Sequence, residues 1–109
     1  MSKTIEVNAE TFQEQVLKAD LPVVVDFWSK TCSHCIRFVP EFEAAAESLG
    51  DKVIFAKMLS QEAFPLFREY KVMGTPSCLL FKGGQEAARL VGSRSATDLE
   101  KWIKTECEL

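Results

Sequence analysis

A nearly continuous apolar run over residues 22–28 is followed, after three intervening residues, by Cys32-Ser33-His34-Cys35. The run lacks the polar alternation of a half-exposed strand, so it predicts a strand that is buried on both faces of a sheet. Two cysteines three positions apart at the start of a helix lie on one side of it, close enough to form a disulfide. Free amide groups at a helix start also stabilise the thiolate of the first cysteine. The pattern predicts a reversible dithiol at a strand-to-helix junction.

Length and composition limit what such a dithiol can serve. The chain has 109 residues, of which 47% are hydrophobic, and we expect a single domain over 1–109 with one packed core. The net charge of −3 argues against nucleic acid and anionic membranes as primary partners. The sequence contains neither an apolar stretch long enough to span a membrane nor the apolar segment of a secretory signal, so we expect a cytoplasmic protein.

The apolar patterns predict the element order βαβαβαββα, a mixed sheet with helices on both faces. Strands are expected at residues 5–7, 22–28, 53–58, 77–81 and 86–91, and helices at 9–18, from the cysteines to about 49, at 61–70 and after Ser95. Asn8 and Ser95 are suitable N-cap residues. The buried face of the long helix is expected to hold Ile36, Val39, Phe42, Ala46 and Leu49.

The two paired cysteines are expected to differ in role because they differ in depth. Cys32, near free amides, is the candidate attacking thiol, and Cys35, one turn deeper, is the candidate resolving thiol. A static disulfide or two unreactive core thiols are the structural alternative. Structural zinc is a second alternative, but it takes four ligands from two separated pairs, and Cys78 and Cys107 are isolated in the sequence. We therefore expect no metal, and we interpret Cys78 as a small core residue.

Three ionisable residues are candidates for tuning the dithiol. His34 is the chain's one histidine, and its ring can donate to the Cys32 thiolate or act on it by charge, although a solvated ring without a role is the alternative. Asp26 and Lys57 interrupt two buried strands, and a buried carboxyl has a raised pKa unless it is paired. Asp26 is therefore a candidate proton donor and acceptor for Cys35, with Lys57 tuning it, while a salt bridge at a strand end is the alternative.

These residues together resemble the thioredoxin family over essentially the whole chain. The resemblance rests on Asp26-Phe27-Trp28, Cys32-x-x-Cys35, Pro40, Lys57, Gly74-Thr75-Pro76 and Gly92 in the expected order and spacing. It implies an α/β thioredoxin fold, in which helices flank a central mixed β-sheet on both faces. It also implies a protein-disulfide reductase that needs no cofactor beyond its own Cys32–Cys35 disulfide and receives electrons from a thioredoxin reductase-type partner.

The resemblance also implies roles for individual residues. Cys32 would be the nucleophile and Cys35 the resolving cysteine, with Asp26 as the buried acid and base beside Lys57. Pro76 would be a cis-proline facing the disulfide. The surface on which disulfide-containing protein substrates dock would be lined by Trp28, Gly74, Thr75 and Gly92, to which we add Ser33. We expect the protein to act as a monomer.

Several residues depart from the family pattern. Ser33-His34 stands where a typical thioredoxin has Gly-Pro, and a histidine there is similar to protein disulfide isomerases and DsbA-like oxidants. Thr31 and Ile36 replace the usual tryptophan and lysine, and Thr75 before Pro76 resembles isomerase-type sites. We expect a reduction potential between about −270 mV, as in thioredoxin, and about −180 mV, as in disulfide isomerase. The alternatives are a disulfide oxidase or isomerase and a non-catalytic thioredoxin-fold binding module.

Overall fold

The structure is a computed structural model that describes residues 3–109. Met1 and Ser2, which the single-domain prediction for 1–109 includes, lie outside the described residues. Within the described range the strands are β1 (Thr4–Val7), β2 (Val23–Trp28), β3 (Ile54–Leu59), β4 (Ser77–Lys82) and β5 (Gln85–Val91). The α-helices of that range are α1 (Ser33–Leu49), α2 (Phe64–Glu69) and α3 (Ala96–Cys107). The predicted alternation of strands and helices is confirmed.

The strands form a mixed sheet in the order β1-β3-β2-β4-β5. Strand β3 runs parallel to β1 and β2, whereas β4 runs antiparallel to β2 and β5. In this register Asp26 on the central strand lies opposite both Lys57 on β3 and Cys78 on β4. Register partners on neighbouring strands point to the same face of a sheet, so these three side chains share one face.

Helices cover both faces of the sheet, as predicted, because β2 alternates its side chains between two apolar clusters. Val23, Val25 and Phe27 point into one cluster, and Val24 points into the other. The first cluster is completed by Phe12 and Val16 from the segment between β1 and β2, and by Phe67 of α2 and Ala63 just before it. The second is completed by α1 and α3 and contains Phe38, Phe42, Ala45, Ala46, Leu49, Leu99 and Ile103. The face shared by Asp26, Lys57 and Cys78 is the one that α1 and α3 cover.

Two predicted helices differ from the structure in their hydrogen bonding. The Asn8 side chain accepts from the amides of Glu10 and Thr11, as a cap should. The helix predicted at 9–18 is shorter in the structure, where it is a π-helical turn over Gln13–Leu17. The helix predicted at 61–70 is divided into a 3₁₀ turn at Ser60–Glu62 and α2. Pro65 explains this division, since it has no amide proton to continue the preceding turn but fits the first turn of a new helix.

The buried face of α1 is rotated relative to the prediction. Phe42, Ala46 and Leu49 are buried as expected, but Ile36 is 56% exposed and Val39 is half-buried. The positions buried instead are Cys35, Phe38 and Ala45. Ile36 lies in the first turn of α1, between the buried Cys35 and the exposed Arg37, on the side of the helix that faces solvent.

The last elements follow the prediction closely. Strands β4 and β5 form a hairpin whose turn contains Gly83 and Gly84, both with positive φ, a conformation that glycine adopts without strain. The Ser95 hydroxyl accepts from the Asp98 amide at 3.1 Å and caps α3. Among residues 3–109, no helix is long and apolar enough to cross a membrane.

Candidate active site

Cys32 lies where the chain turns from β2 into α1. Its amide donates to the Ser29 carbonyl at 3.3 Å, and its extended backbone (φ −99°, ψ 111°) places it as the N-cap of the helix. The Cys32 sulfur accepts a hydrogen bond from the Cys35 amide at 3.2 Å, as the side-chain oxygen of a serine or aspartate cap does. The sequence therefore positions a thiol where a helix offers free N–H donors.

The surroundings of Cys32 favour its thiolate. Partial burial alone raises the pKa of this thiol, but hydrogen bonds oppose that effect and lower the pKa below its usual value. The donors are the side chains of Cys35 and Thr75 and the backbone amides of Cys35 and His34. At a given pH, a half-buried thiol with a lowered pKa holds more of the reactive thiolate than an ordinary cysteine does.

Cys35 has the opposite environment. Its side chain is fully buried, and burial raises the pKa of its thiol to about 11, with a further rise from the hydrogen bond that it gives to Cys32. The two cysteines therefore differ in both exposure and acidity, which is the difference expected between an attacking and a resolving thiol. Both are free thiols in this structure, so the site is described in its reduced form.

The loop before β4 and the end of β5 meet at Cys32. The Cys32 thiol donates to the Thr75 carbonyl at 3.4 Å, and the peptide bond between Thr75 and Pro76 is cis. The Gly92 amide donates to the Pro76 carbonyl at 2.8 Å, with Gly92 at a φ of 97° that favours glycine. The Ser77 hydroxyl donates to the Gly74 carbonyl at 2.6 Å and holds the loop. The structure thus brings Cys32, Thr75, Pro76 and Gly92 together from distant parts of the sequence.

The other predicted docking residues lie on the segments that carry these groups. Trp28 is half-buried at the end of β2, and Ser33 and Gly74 are exposed. Around them three large apolar side chains are exposed, and we call Ile36, Met73 (94% exposed) and Val91 the apolar rim. Each is a chain neighbour of Cys35, Gly74 or Gly92. Met73 and Val91 were missed by the sequence analysis, because an exposed apolar residue cannot be told from a core residue by its type.

His34 is exposed in the first turn of α1, and its ring contacts a residue that the sequence analysis missed. Its Nδ1 atom lies 2.8 Å from Nη2 of Arg37, one turn along the helix. A guanidinium only donates, so Nδ1 is the acceptor in this contact. The contact from His34 to the Cys32 sulfur comes from the backbone amide.

Asp26 is buried in the centre of the sheet, with 1% of its surface exposed. Its Oδ1 atom has no hydrogen-bond partner among residues 3–109. Burial raises the pKa of Asp26 from 3.8 to about 7, although the positive charge of Lys57 acts in the opposite direction. A carboxyl with this pKa can both hold and release a proton near neutral pH.

Lys57 forms its ion pair with a residue that the sequence analysis did not single out. Its ammonium lies 3.7 Å from Oε2 of Glu43 on α1, and the same Glu43 oxygen accepts from the Thr4 hydroxyl at 3.3 Å. The salt bridge between Lys57 and Asp26, the structural alternative, is not formed among the described residues. Glu43 was missed because a charged residue on a helix is usually solvated, and its partners come from two distant strands.

The two remaining cysteines lie on other elements, Cys78 on β4 opposite Asp26 and Cys107 at the end of α3. Cys78 is buried in the second apolar cluster, as predicted, and Cys107 is half-buried at the end of α3. Within residues 3–109 there is no group of three or more His, Cys, Asp or Glu side chains arranged to hold a metal ion.

Comparison with known proteins agrees with this geometry. The family model described as Thioredoxin matches residues 3–105. The chain is 40% identical over 99 residues to a Thioredoxin of Rhodospirillum rubrum, covering 91% of this chain and 95% of that protein. It is 37% identical over 97 residues to a Thioredoxin of Rickettsia bellii, covering 89% of this chain and 92% of that protein. It is 31% identical to Thioredoxin 1 of Nostoc sp., covering 95% of this chain and 97% of that protein.

Proposed function

The chain belongs to the thioredoxin family, whose members are disulfide oxidoreductases, and we propose that it reduces protein disulfides through Cys32 and Cys35. The observation that carries this proposal is the Cys32 sulfur at the N-cap of α1, half-buried, with a lowered pKa, beside a fully buried second thiol.

The first step is an attack by the Cys32 thiolate on one sulfur of a substrate disulfide. The substrate S–S bond breaks, a mixed disulfide to Cys32 forms, and the other substrate sulfur leaves as a thiolate. The amide donors around Cys32 support this role, because they stabilise the thiolate before the attack.

In the second step Cys35 loses its proton and attacks the Cys32 sulfur. The mixed disulfide breaks, the Cys32–Cys35 disulfide forms, and the second substrate thiolate leaves, so that the substrate gains two electrons and two protons in all. Because the pKa of Cys35 is raised to about 11, this step needs a base. We assign that role to Asp26, whose pKa of about 7 suits it and which Lys57 tunes.

The substrate segment docks across the surface between α1, the loop before β4 and the end of β5. We assign this docking surface to Trp28, Ser33, Gly74, Thr75 and Gly92, next to Pro76. The apolar rim supports the assignment, because three exposed apolar side chains beside a reactive thiol suit a protein chain better than a small polar molecule.

The partners of the reaction follow from its direction. The oxidised pair is regenerated by a thioredoxin reductase-type partner, and the protein works as a monomer without a further cofactor. A protein-disulfide reductase is useful where thiols are kept reduced, so we place it in the cytoplasm.

We propose that the reduction potential lies above that of a typical thioredoxin, between about −270 and about −180 mV. A stabilised Cys32 thiolate favours the reduced form and makes the disulfide a stronger oxidant. We assign part of this effect to the imidazole ring of His34, which lies in the first turn of α1 between the two cysteines. A potential near about −180 mV or above would favour the oxidase or isomerase alternative.

Two measurements test the proposal. The potential of the Cys32–Cys35 pair is measured by equilibration with glutathione or dithiothreitol buffers, in the wild type and in His34→Ala. In a second experiment, Cys35→Ser is mixed with a disulfide-containing protein, and we expect a mixed disulfide to Cys32 that a reductant releases. If partners bind equally well to Cys32→Ser and no mixed disulfide forms, the chain is a binding module and the proposal fails.

A further inference from the structure

Two acidic side chains, Asp26 and Glu43, neighbour Lys57 on the face of the sheet that α1 covers. Asp26 lies opposite Lys57 in the register of β2 and β3, and Glu43 lies above it on α1. The ion pair forms with Glu43 at 3.7 Å, while Oδ1 of Asp26 has no hydrogen-bond partner among residues 3–109. A buried carboxylate with an unused oxygen would gain strongly from that ammonium, so the position of Lys57 needs an explanation.

Glu43 is itself held in place by a second element. The Thr4 hydroxyl on β1 donates to the same Oε2 atom of Glu43 that lies near Lys57. The side chains of Lys57 and Glu43 are 16% and 30% exposed, so water screens their attraction less than it screens a surface pair. The three side chains link β1, β3 and α1 beside Asp26.

We propose that Glu43 is a positioning residue, which draws the Lys57 ammonium away from Asp26 and so keeps the buried carboxyl able to carry the proton released by Cys35. This inference rests on the proposed function, since it assigns to Asp26 the proton transfer of the second step. In the absence of Glu43, the ammonium would turn to Asp26 and hold it as a carboxylate.

The other ionisable groups near Asp26 do not explain its state. Cys78 faces it from β4, and Cys35 is the thiol whose proton the proposed function passes to it, but both thiols have a raised pKa and stay neutral near pH 7. Arg94, after β5, acts on the Cys78 thiol. The charge that acts on Asp26 is therefore that of Lys57, and Glu43 is the group paired with it.

The experiment is a titration of the Asp26 carboxyl, followed by carbon-13 NMR in the reduced protein. Glu43→Gln removes the carboxylate and keeps the size of the side chain. We expect the titration midpoint of Asp26 to fall by about one pH unit, because Lys57 moves closer and a negative charge is lost. Glu47→Gln, an exposed position one turn further along α1, removes the same charge and is the matched control. Its expected shift is less than a third of that in Glu43→Gln.

A double-mutant cycle separates the position of Lys57 from the charge of Glu43. In a Lys57→Met background, Glu43→Gln is expected to lower the Asp26 midpoint by less than half as much as it does in the wild type. Equal shifts in both backgrounds would overturn the positioning role, and so would a shift no larger than that of Glu47→Gln. Glu43→Asp, whose carboxylate cannot reach as far, gives the same test if Glu43→Gln does not fold, with a smaller fall expected.

The pH dependence of disulfide reduction connects this placement to catalysis. We expect the acid limb of the rate profile to move to lower pH in Glu43→Gln by the same amount as the Asp26 midpoint. If the midpoint moves but neither protein reduces disulfides, the proposed function fails and the placement of Lys57 by Glu43 stands. If the wild type and Glu43→Gln both reduce disulfides but have the same Asp26 midpoint, the role of Glu43 fails and the proposed function stands.

Discussion

Cys32 and Cys78 are the same residue type, but their thiols differ in acidity because they lie in two different regions of the molecule. Cys32 contacts the carbonyl of Thr75 from the rim of the sheet, and hydrogen-bond donors lower its pKa. Cys78 follows Pro76 by two residues inside β4, where complete burial, and then the nearby Asp26, raise its pKa well above the usual value. Reactivity therefore depends on which dipoles and charges reach the sulfur.

The same contrast applies to the carboxyl group in the interior. Asp26 lies beside Cys78 in the register of the sheet, and burial raises the pKa of this acid as well. At the start of α1, hydrogen-bond donors point at the Cys32 sulfur and favour its ionised form. The interior of the sheet favours the neutral forms of Asp26 and Cys78. The proposed mechanism uses both environments, with Cys32 as the ionised nucleophile at the start of α1 and Asp26 as the proton carrier in the interior.

The largest expected effect comes from exchanging the two sulfurs for oxygen in turn. Cys32→Ser is expected to reduce the rate of protein-disulfide reduction to the uncatalysed background, because an alcohol does not attack a disulfide. Cys78→Ser is expected to keep the rate within about twofold, with some loss of stability from a buried hydroxyl. The measurement is the reduction of a disulfide protein with dithiothreitol as the electron source. Equal losses in both variants would break the comparison.

A stability measurement tests the interior half of the comparison. Since the pKa of Asp26 rises from 3.8 to about 7, the folded protein buries an unfavourable charge above pH 7, and below pH 3.8 the carboxyl is neutral in both states. Stability is therefore lost as the pH rises between these values. Asp26→Asn is expected to increase the free energy of unfolding at pH 8 by up to about 4 kcal/mol, at about 1.36 kcal/mol per pH unit, and to change it little at pH 4.

Urea unfolding at pH 4 and pH 8 measures this difference. Asp51→Asn, at an exposed position, is the control, and its effect should be small and the same at both pH values. A stabilisation by Asp26→Asn that is equal at both pH values would show that the charge of Asp26 is not its cause.

Alkylation of the reduced protein compares the thiols directly. Cys32, whose pKa is lowered, should react with iodoacetamide at a pH where a free cysteine is still protonated, and its rate should level off as the pH passes its pKa. Cys78 should stay unmodified over the same range in the folded protein, because it is buried and its pKa is raised. Peptide mass spectrometry at several pH values distinguishes the two, and faster labelling of Cys78 would contradict the contrast.

The smallest expected effect concerns the Thr75 hydroxyl, one of the hydrogen-bond donors to the Cys32 sulfur. Thr75→Val removes the hydroxyl that helps to lower the pKa of Cys32 and keeps the branched shape of the side chain. The alkylation rate of Cys32 at pH 7 is expected to fall by up to about fivefold, since one hydrogen bond contributes about 1 kcal/mol. Thr105→Val on α3 is the matched control. If it lowered the alkylation rate of Cys32 by the same factor, the effect of Thr75→Val could not be assigned to the lost hydrogen bond.

The sequence predicted well the parts of the fold that depend on local pattern. The continuous apolar run of β2, the Gly83-Gly84 turn and the Ser95 cap are each encoded by neighbouring residues, and each appears in the structure. The π-helical turn over Gln13–Leu17 was not predicted, because periodicity indicates a helix but not its hydrogen-bond pattern. A β-carbon on Gly84 would lie 3.0 Å from the Leu17 carbonyl, so this turn is packed tightly against the hairpin.

The residues of the candidate site also fall into two groups, those that local sequence could indicate and those that it could not. Cys32, Cys35 and Asp26 could be singled out because a dithiol at a helix start and an acid inside an apolar run are unusual in sequence. Arg37 and Glu43 could not, because their significance arises from His34 one turn away and from Lys57 on another element. Which face of α1 is buried also depends on how the helix lies across the sheet, and periodicity along the helix carries no information about that orientation.

The order of the strands has a consequence for the newly synthesised chain. Thr75, which contacts the Cys32 sulfur, lies 43 residues further along the sequence, and Gly92 follows later still. A ribosome therefore releases both active cysteines well before the loop and strand that complete their surroundings. Because β2 is central and needs both β3 and β4 as neighbours, the dithiol acquires its full environment only when the C-terminal hairpin joins the sheet. The full set of hydrogen bonds that lowers the pKa of Cys32, including the one from Thr75, is therefore formed only after the last strands have joined the sheet.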